Sequence, residues 1–286
     1  MDTLIQRSET LEQAAWLDLY QGASAPLRAR MGLEVAHHAG GTLLVARHAD
    51  HLLLNRAMCL RPPGDQLDQA IEDAIAHYRS RRIGRFWVQL ASDQRHGPLP
   101  RLLAMRDVVR YPRSWMKFVR ATAPLLEQPT DATLRMADES DRDAIALIFR
   151  ETFDLPESGA QLFASTAGRP RWRAFVAEDP SGVVGAAALF LGREEGYLAF
   201  AGTTRHARRR GIQRALLKTR LEVAAMHGCK RVFAETGLPR EGEPNSSYRN
   251  MLRLGFDELC VRDNFAPEGT TWLSLPSSDA NARSNA

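Results

Sequence analysis

Residues 205–217 restrict this chain more than any other stretch: Arg205-His-Ala-Arg-Arg-Arg-Gly211-Ile-Gln-Arg-Ala-Leu-Leu217. They follow a run that reads as a strand, residues 196–204. They open a run that reads as a helix to about residue 227, with apolar positions at Leu216, Leu217, Leu221 and Ala224. A basic turn holding a glycine between a strand and a helix start is suited to phosphate. The first N–H groups of a helix have no partner within it, and the helix dipole favours negative charge there. Gly211 permits close backbone approach, and Arg205, Arg208, Arg209, Arg210 and Arg214 add charge. A solvated helix face and a nucleic-acid patch are the competing readings. No aromatic residues interleave with these arginines to stack bases. The net charge of +4 permits an anionic ligand without demanding nucleic acid, so no nucleic-acid partner is expected.

At 286 residues the chain has room for two domains. Its three cysteines, Cys59, Cys229 and Cys260, are widely spaced and lack zinc-ligand or CxxC spacing. No metal site or disulfide framework is expected, and a reducing, cytoplasmic setting fits best. Residues 1–10 carry acidic groups and no apolar core of signal-peptide length. No run approaches the ~18 apolar residues of a membrane span, so no membrane partner is expected.

In the first half, residues 8–30 read as helix broken at Pro26 and Gly32, with Asp18 on the face of Leu11, Ala15 and Leu19. Strands are expected at 33–38, 42–47 and 52–60, and a helix at 65–80. A buried strand at 85–91, a short helix at 99–106 and a strand or hairpin at 115–119 follow. His37 and His38 are adjacent on a strand and point to opposite faces, which argues against a shared metal. Residues 121–131 hold two prolines and no period, and read as a linker. The second half restarts with a strand at 133–137 and a helix to about 152, capped by Asp138 or Ser140. A loop or short helix covers 153–169. Strands at 172–178 and 183–191 are joined by Asp179-Pro-Ser-Gly182, a hairpin turn. After the basic turn and its helix come a strand at 231–236, a helix at 246–254 and strands at 257–261 and 271–275. The domains expected are therefore 1–120 and 132–276, joined by 121–131 and followed by a disordered tail, 277–286.

The halves resemble each other. Residues 65–75 and 85–90 lie over 211–221 and 231–236 without a gap, placing Ile71 on Leu217, Ile75 on Leu221 and Arg85 on Arg231. Pro62 and Pro63 stand where Arg208 and Arg209 do, Asp65 where Gly211 does, and Asp68 where Arg214 does. Prolines have no N–H to donate and aspartates repel phosphate. The first half therefore has the scaffold without the anion site.

The second half, about residues 131–276, resembles the GNAT superfamily of N-acetyltransferases. That family carries Arg/Gln-x-x-Gly-x-Gly/Ala between its fourth strand and third helix. Here the motif reads Arg208-Arg-Arg-Gly211-Ile-Gln213, with Gln in the last slot. The helix ending in Gly255-Phe256 and the order of elements agree as well. The resemblance implies an α+β fold of two GNAT-like halves, each a mixed, mostly antiparallel sheet flanked by helices, with the first degenerate. It implies acetyl-CoA as cosubstrate, with the pyrophosphate on Arg208, Arg209, Arg210, Gly211, Ile212, Gln213 and Arg214. The pantetheine arm would run along Ala201, Gly202 and Thr203, and Ser247 and Asn250 would flank it. It also implies direct attack on the thioester by a small-molecule amine or a peptide N-terminus.

An amine of pKa ~10.4 is mostly protonated at pH 7, so a base must take its proton. Glu235, at a strand end facing the cleft, is the candidate; a cap or salt-bridge carboxylate is the alternative. Many family members place Tyr four residues before the Gly-Phe step, where this chain has Met251. Tyr248, one turn earlier, is the substitute acid, with packing as its alternative. The missing tyrosine also keeps open a non-catalytic acyl-CoA sensor or scaffold.

Overall fold

The computed structural model describes residues 3–90, 94–240 and 245–271. Helix α1 (Leu4–Gln21) starts ahead of the expected position because Thr3 and Gln6 form a reciprocal capping box. Ser24 caps α2 (Ala25–Met31), which has Pro26 in its first turn and ends at Gly32 with φ 61°. Strands β1 (Leu33–His38), β2 (Gly41–Ala46) and β3 (Arg56–Met58) follow. The strand expected over 52–60 is thus cut to its centre. Residues 52–55 turn instead, because Asn55 accepts from Ala46 N–H at 2.8 Å and donates to Ala49 O at 3.0 Å. Then come α3 (Leu67–Arg79), β4 (Trp87–Leu90), α4 (Leu99–Ala104), β5 (Val108–Arg110) and β6 (Trp115–Ala121). Asp18 is held by Arg169 at 2.5 Å and Trp172 Nε1 at 2.8 Å, which explains a carboxylate on that helix face.

Residues 122–132 form no helix or strand. Beyond them lie β7 (Thr133–Met136), α5 (Arg142–Phe153), α6 (Glu157–Ala164), β8 (Trp172–Asp179), β9 (Gly182–Leu191) and β10 (Glu195–Thr203). The chain continues through α7 (Ile212–Met226), β11 (Arg231–Gly237), α8 (Ser246–Arg253) and β12 (Asp257–Pro267). Asp138 caps a 3₁₀ turn, Glu139–Asp141, that leads into α5. The strand expected at 257–261 continues to Pro267. The strand expected at 271–275 and the tail fall, from 272 on, outside the described residues.

Among the described residues twelve strands make one mixed sheet, in the order β1-β2-β3-β4-β12-β6-β11-β10-β9-β8-β7, with β5 on β12. Most pairs are antiparallel. The pairs β3–β4 and β10–β11 are parallel, and each brackets one helix, α3 or α7. The gapless overlay of the halves covers the helix and the second strand of each unit, α3 with β4 and α7 with β11. Strand β6 lies between β11 and β12, pairing Glu235 with Lys117 on one side and Val261 with Met116 on the other. The far end of β12 pairs with β4 through Asp263 and Leu90. One sheet therefore runs unbroken through both halves.

Helices α1, α5 and α6 cover one face through an aromatic core that includes Trp16, Phe149, Phe163 and Phe200. Helix α7 covers the other with Leu216, Leu217, Leu221 and Ala224. A buried charge cluster joins the halves. Glu12 on α1 accepts from Lys117 Nζ at 2.5 Å and from Arg262, and lies 3.6 Å from Arg56. Arg262 also donates to Glu235. Burial alone would raise the pKa of Glu12, but Arg262 and Lys117 outweigh it and hold the carboxyl well below the usual range.

Candidate functional site

The turn before α7 is built to present N–H groups. Arg209 and Gly211 both take left-handed backbone, φ 68° and 78°. Alternating left- and right-handed residues curl successive N–H groups into a concave nest that suits an anion. The backbone N–H groups of Arg209 to Gln213 meet no backbone acceptor among the described residues; the ladder begins with Arg214 N–H on Gly211 O at 3.0 Å. A non-glycine residue in this region stores strain of the kind found at functional sites. Gly211 is needed for a second reason. A Cβ there would lie 2.1 Å from Pro129 O, where residues 122–132 pass beneath the turn.

The arginines divide. Arg210, expected on the phosphates, turns away to Asp131 at 2.9 Å and Asp179 at 2.6 Å. Arg205 pairs with Glu151 at 2.9 Å. Arg208, Arg209 and Arg214 line the nest cavity, of about 500 Å³. No carboxylate among the described residues pairs with these three. Five open N–H groups and three uncommitted arginines fit a diphosphate. The same cavity takes in Gly202, Thr203, Ile212, Ser247 and Asn250.

Strands β10 and β11 pair only as far as Leu198 with Ala234, then diverge. A bulge in β10 lies between Leu198 and Ala201, opposite Ala188 of β9. The edge of β10 beyond it is open to an extended, amide-containing chain. A chamber of about 390 Å³ fills the splay, bounded by Leu198–Ala201 on one side and Glu235–Leu238 on the other. It meets the nest cavity at Thr152, Ala201, Gln213, Ser246 and Ser247. At that junction Gln213 donates to Ser247 Oγ at 2.8 Å and accepts from Asn250 Nδ2 at 2.7 Å.

Glu235 reaches the chamber. One carboxylate oxygen accepts from Arg262, and the other bonds to nothing among the described residues. Tyr248 is not brought to either cavity. Its ring packs edge-on against Phe118 at 5.5 Å, and its hydroxyl donates to Glu258, which raises its pKa. Met251, one turn further along α8, lines the chamber in its stead. His38, on the strand carrying both candidate histidines, has Nε2 2.8 Å from Ala70 O.

Several chamber residues escape a reading of the sequence. Trp16, Arg56 and Trp115 come from the first half, and Asp154 follows α5 with φ 57°. Arg220 enters from α7, fully buried, and breaks that helix's apolar stripe. A lone arginine within such a stripe is the signal that was there to find.

The arrangement is a backbone anion nest leading through a narrow neck to a mixed aromatic and charged chamber in a strand splay. Residues 140–256 match the profile described as the acetyltransferase (GNAT) family. The match to that family lies wholly in the C-terminal half, across β8–β11 and the nest. Among solved structures, a GCN5-related N-acetyltransferase from Kribbella flavida superposes with TM-score 0.62 at 17% identity, over 92% of this chain and 96% of that one. One from Sphaerobacter thermophilus gives 0.60 at 19%, over 96% of each. A GNAT-family acetyltransferase from Colwellia psychrerythraea gives 0.53 at 14%, over 93% and 97%. These likenesses are of fold, and they span both halves. No curated protein sequence matches the chain. No helix among the described residues is long and apolar enough to cross a membrane.

Proposed function

We propose that this protein is an N-acyltransferase that moves an acyl group, acetyl in the simplest case, from CoA to a primary amine by direct attack on the thioester. The observation that carries the reading is the nest: open N–H groups from Arg209 to Gln213 beside three arginines that have no carboxylate partner among the described residues. In this reading Arg208, Arg209 and Arg214 hold the pyrophosphate, and the free edge of Ala201–Thr203 pairs with the pantetheine amides. Glu235 takes the proton from the attacking amine. Backbone N–H groups at the β10 bulge face the oxygen on which negative charge develops.

Residues 132–276 would form the cofactor-binding domain and 1–120 the supporting one. Trp16, Arg56 and Trp115 support a role for the first half in shaping the acceptor side of the chamber. Strand β6 lies within the sheet of the second half, so neither half is expected to work alone. The acceptor is a small amine or a peptide N-terminus, in a reducing, cytoplasmic setting.

Thiol release from acetyl-CoA, measured across a panel of small amines and short peptides, tests the reading. An amine-dependent signal supports it. Tight CoA binding with no release over the whole panel would favour a sensor instead, consistent with Met251 where a tyrosine acid is common.

A further inference from the structure

Arg220 is 1% exposed and lines the chamber. Its Nε donates to Leu216 O at 3.1 Å and its Nη1 to Ala188 O at 3.2 Å. No carboxylate among the described residues pairs with it. The other two buried arginines among the described residues, Arg56 and Arg262, both lie against Glu12. Burial pushes the Arg220 guanidinium pKa down with no carboxylate to pull it back, yet a guanidinium stays protonated in a protein. A buried cation without a counter-ion is costly. It becomes favourable when an anion arrives in the same cavity and meets its fork of donors.

Its position says where that anion lies. Ala188 faces the β10 bulge, just beyond the last β10–β11 pair, Leu198 with Ala234. The guanidinium therefore sits at the floor of the splay. Arg220 lies seven residues along α7 from Gln213, roughly 10 Å of helix rise, and is absent from the nest cavity. An anion at Arg220 is thus separate from the phosphates. It lies at the far end of a chain that enters at the nest and passes Gln213.

We propose that the acyl group accepted here ends in a carboxylate, as in a dicarboxylic acid monothioester, and that Arg220 pairs with that carboxylate. The proposal rests on the acyl-CoA reading above. In the transfer, the amine nitrogen bonds to the thioester carbonyl carbon, the C–S bond breaks, and the amine's proton ends on the departing sulfur. The distal carboxylate is unchanged, and Arg220 only holds it.

Calorimetric titration of succinyl-CoA and butyryl-CoA into the full chain tests this without knowledge of the acceptor. These donors differ at the acyl end, where one carries a carboxylate and the other a methyl. Succinyl-CoA is expected to bind at least about tenfold more tightly, and Arg220→Met is expected to narrow the ratio to within about twofold. Equal or tighter binding of butyryl-CoA to the wild type overturns the proposal and leaves the acyl-CoA reading intact. A ratio untouched by Arg220→Met likewise overturns it. Binding of neither donor, nor of CoA itself, overturns both.

Discussion

Gln213 Nε2 lies 2.8 Å from Ser247 Oγ, tying the first turn of α7 to the first turn of α8 across the junction of the two cavities. A chain reaching from the nest into the chamber must pass this bridge. Gln213 stands where the resembled family has Gly or Ala, so the bridge belongs to this chain. Gln213→Ala removes two part-buried hydrogen bonds, each worth about 1 kcal/mol. The variant is expected to melt lower than the wild type yet bind CoA several-fold more tightly, because the neck no longer has to open. Melting curves and calorimetry on the same preparation check both signs.

Glu235 and Tyr248 separate in a kinetic comparison. Glu235 faces the chamber and Tyr248 faces Phe118 and Glu258. Glu235→Gln is expected to lower kcat about a hundredfold or more, the range of a lost general base. Tyr248→Phe should stay within about twofold. Steady-state rates with any accepted amine decide it, and a large loss in Tyr248→Phe would restore that residue as the acid.

The charge cluster around Glu12 makes a stability prediction. Glu12 and Lys117 are both 0% exposed and Arg262 is 3% exposed. Removing the carboxylate charge leaves buried cations under-compensated, so Glu12→Gln should cost about 3–5 kcal/mol in urea unfolding. Asp68→Asn, at an exposed pair with Arg106, should cost less than about 1 kcal/mol.

His51 supplies a pH dependence. It is buried and accepts from Leu53 N–H at Nδ1. Burial pushes its pKa down from 6.5 to about 4. The unfolded chain takes up the proton first as pH falls, so stability is full above pH 6.5 and is lost toward pH 4. At about 1.4 kcal/mol per pKa unit, the loss approaches ~3 kcal/mol. Glu9, whose carboxyl is raised by burial, acts with opposite sign. The difference between wild type and His51→Asn therefore isolates the histidine. The variant's urea midpoint should fall less steeply between pH 6.5 and 4.5.

What the sequence makes legible is what local chemistry determines. The turn before α7 is set by a glycine, a basic run and a strand–helix boundary, all within one stretch. The hairpin at Asp179–Gly182 forms as its turn residues require. Non-local pairing is not written in this way. Nothing in the alternation of residues 115–121 says that β6 inserts between β11 and β12. Arg220 is an arginine in any reading, and only packing shows that no carboxylate among the described residues reaches it. Ser247 and Met251 share one helix face, and Tyr248 stands about 100° around from Ser247. That rotation, fixed by Phe118 and Glu258, decides which residue meets the chamber. Arg210 reads like its neighbours until Asp131 and Asp179 claim it.

The nest is the centre of the account, and calorimetric titration of CoA into four proteins tests it most directly. Wild type should bind, and Gly211→Asp should not, since it adds a clash with Pro129 O and a like charge beside the phosphates. The double variant Arg208→Ala/Arg209→Ala should lose at least about tenfold in affinity, with a shallower salt dependence. Arg210→Ala, which breaks pairs with Asp131 and Asp179, should bind within about threefold of wild type. Equal CoA affinity in wild type and Gly211→Asp, or no binding by either, would contradict the account.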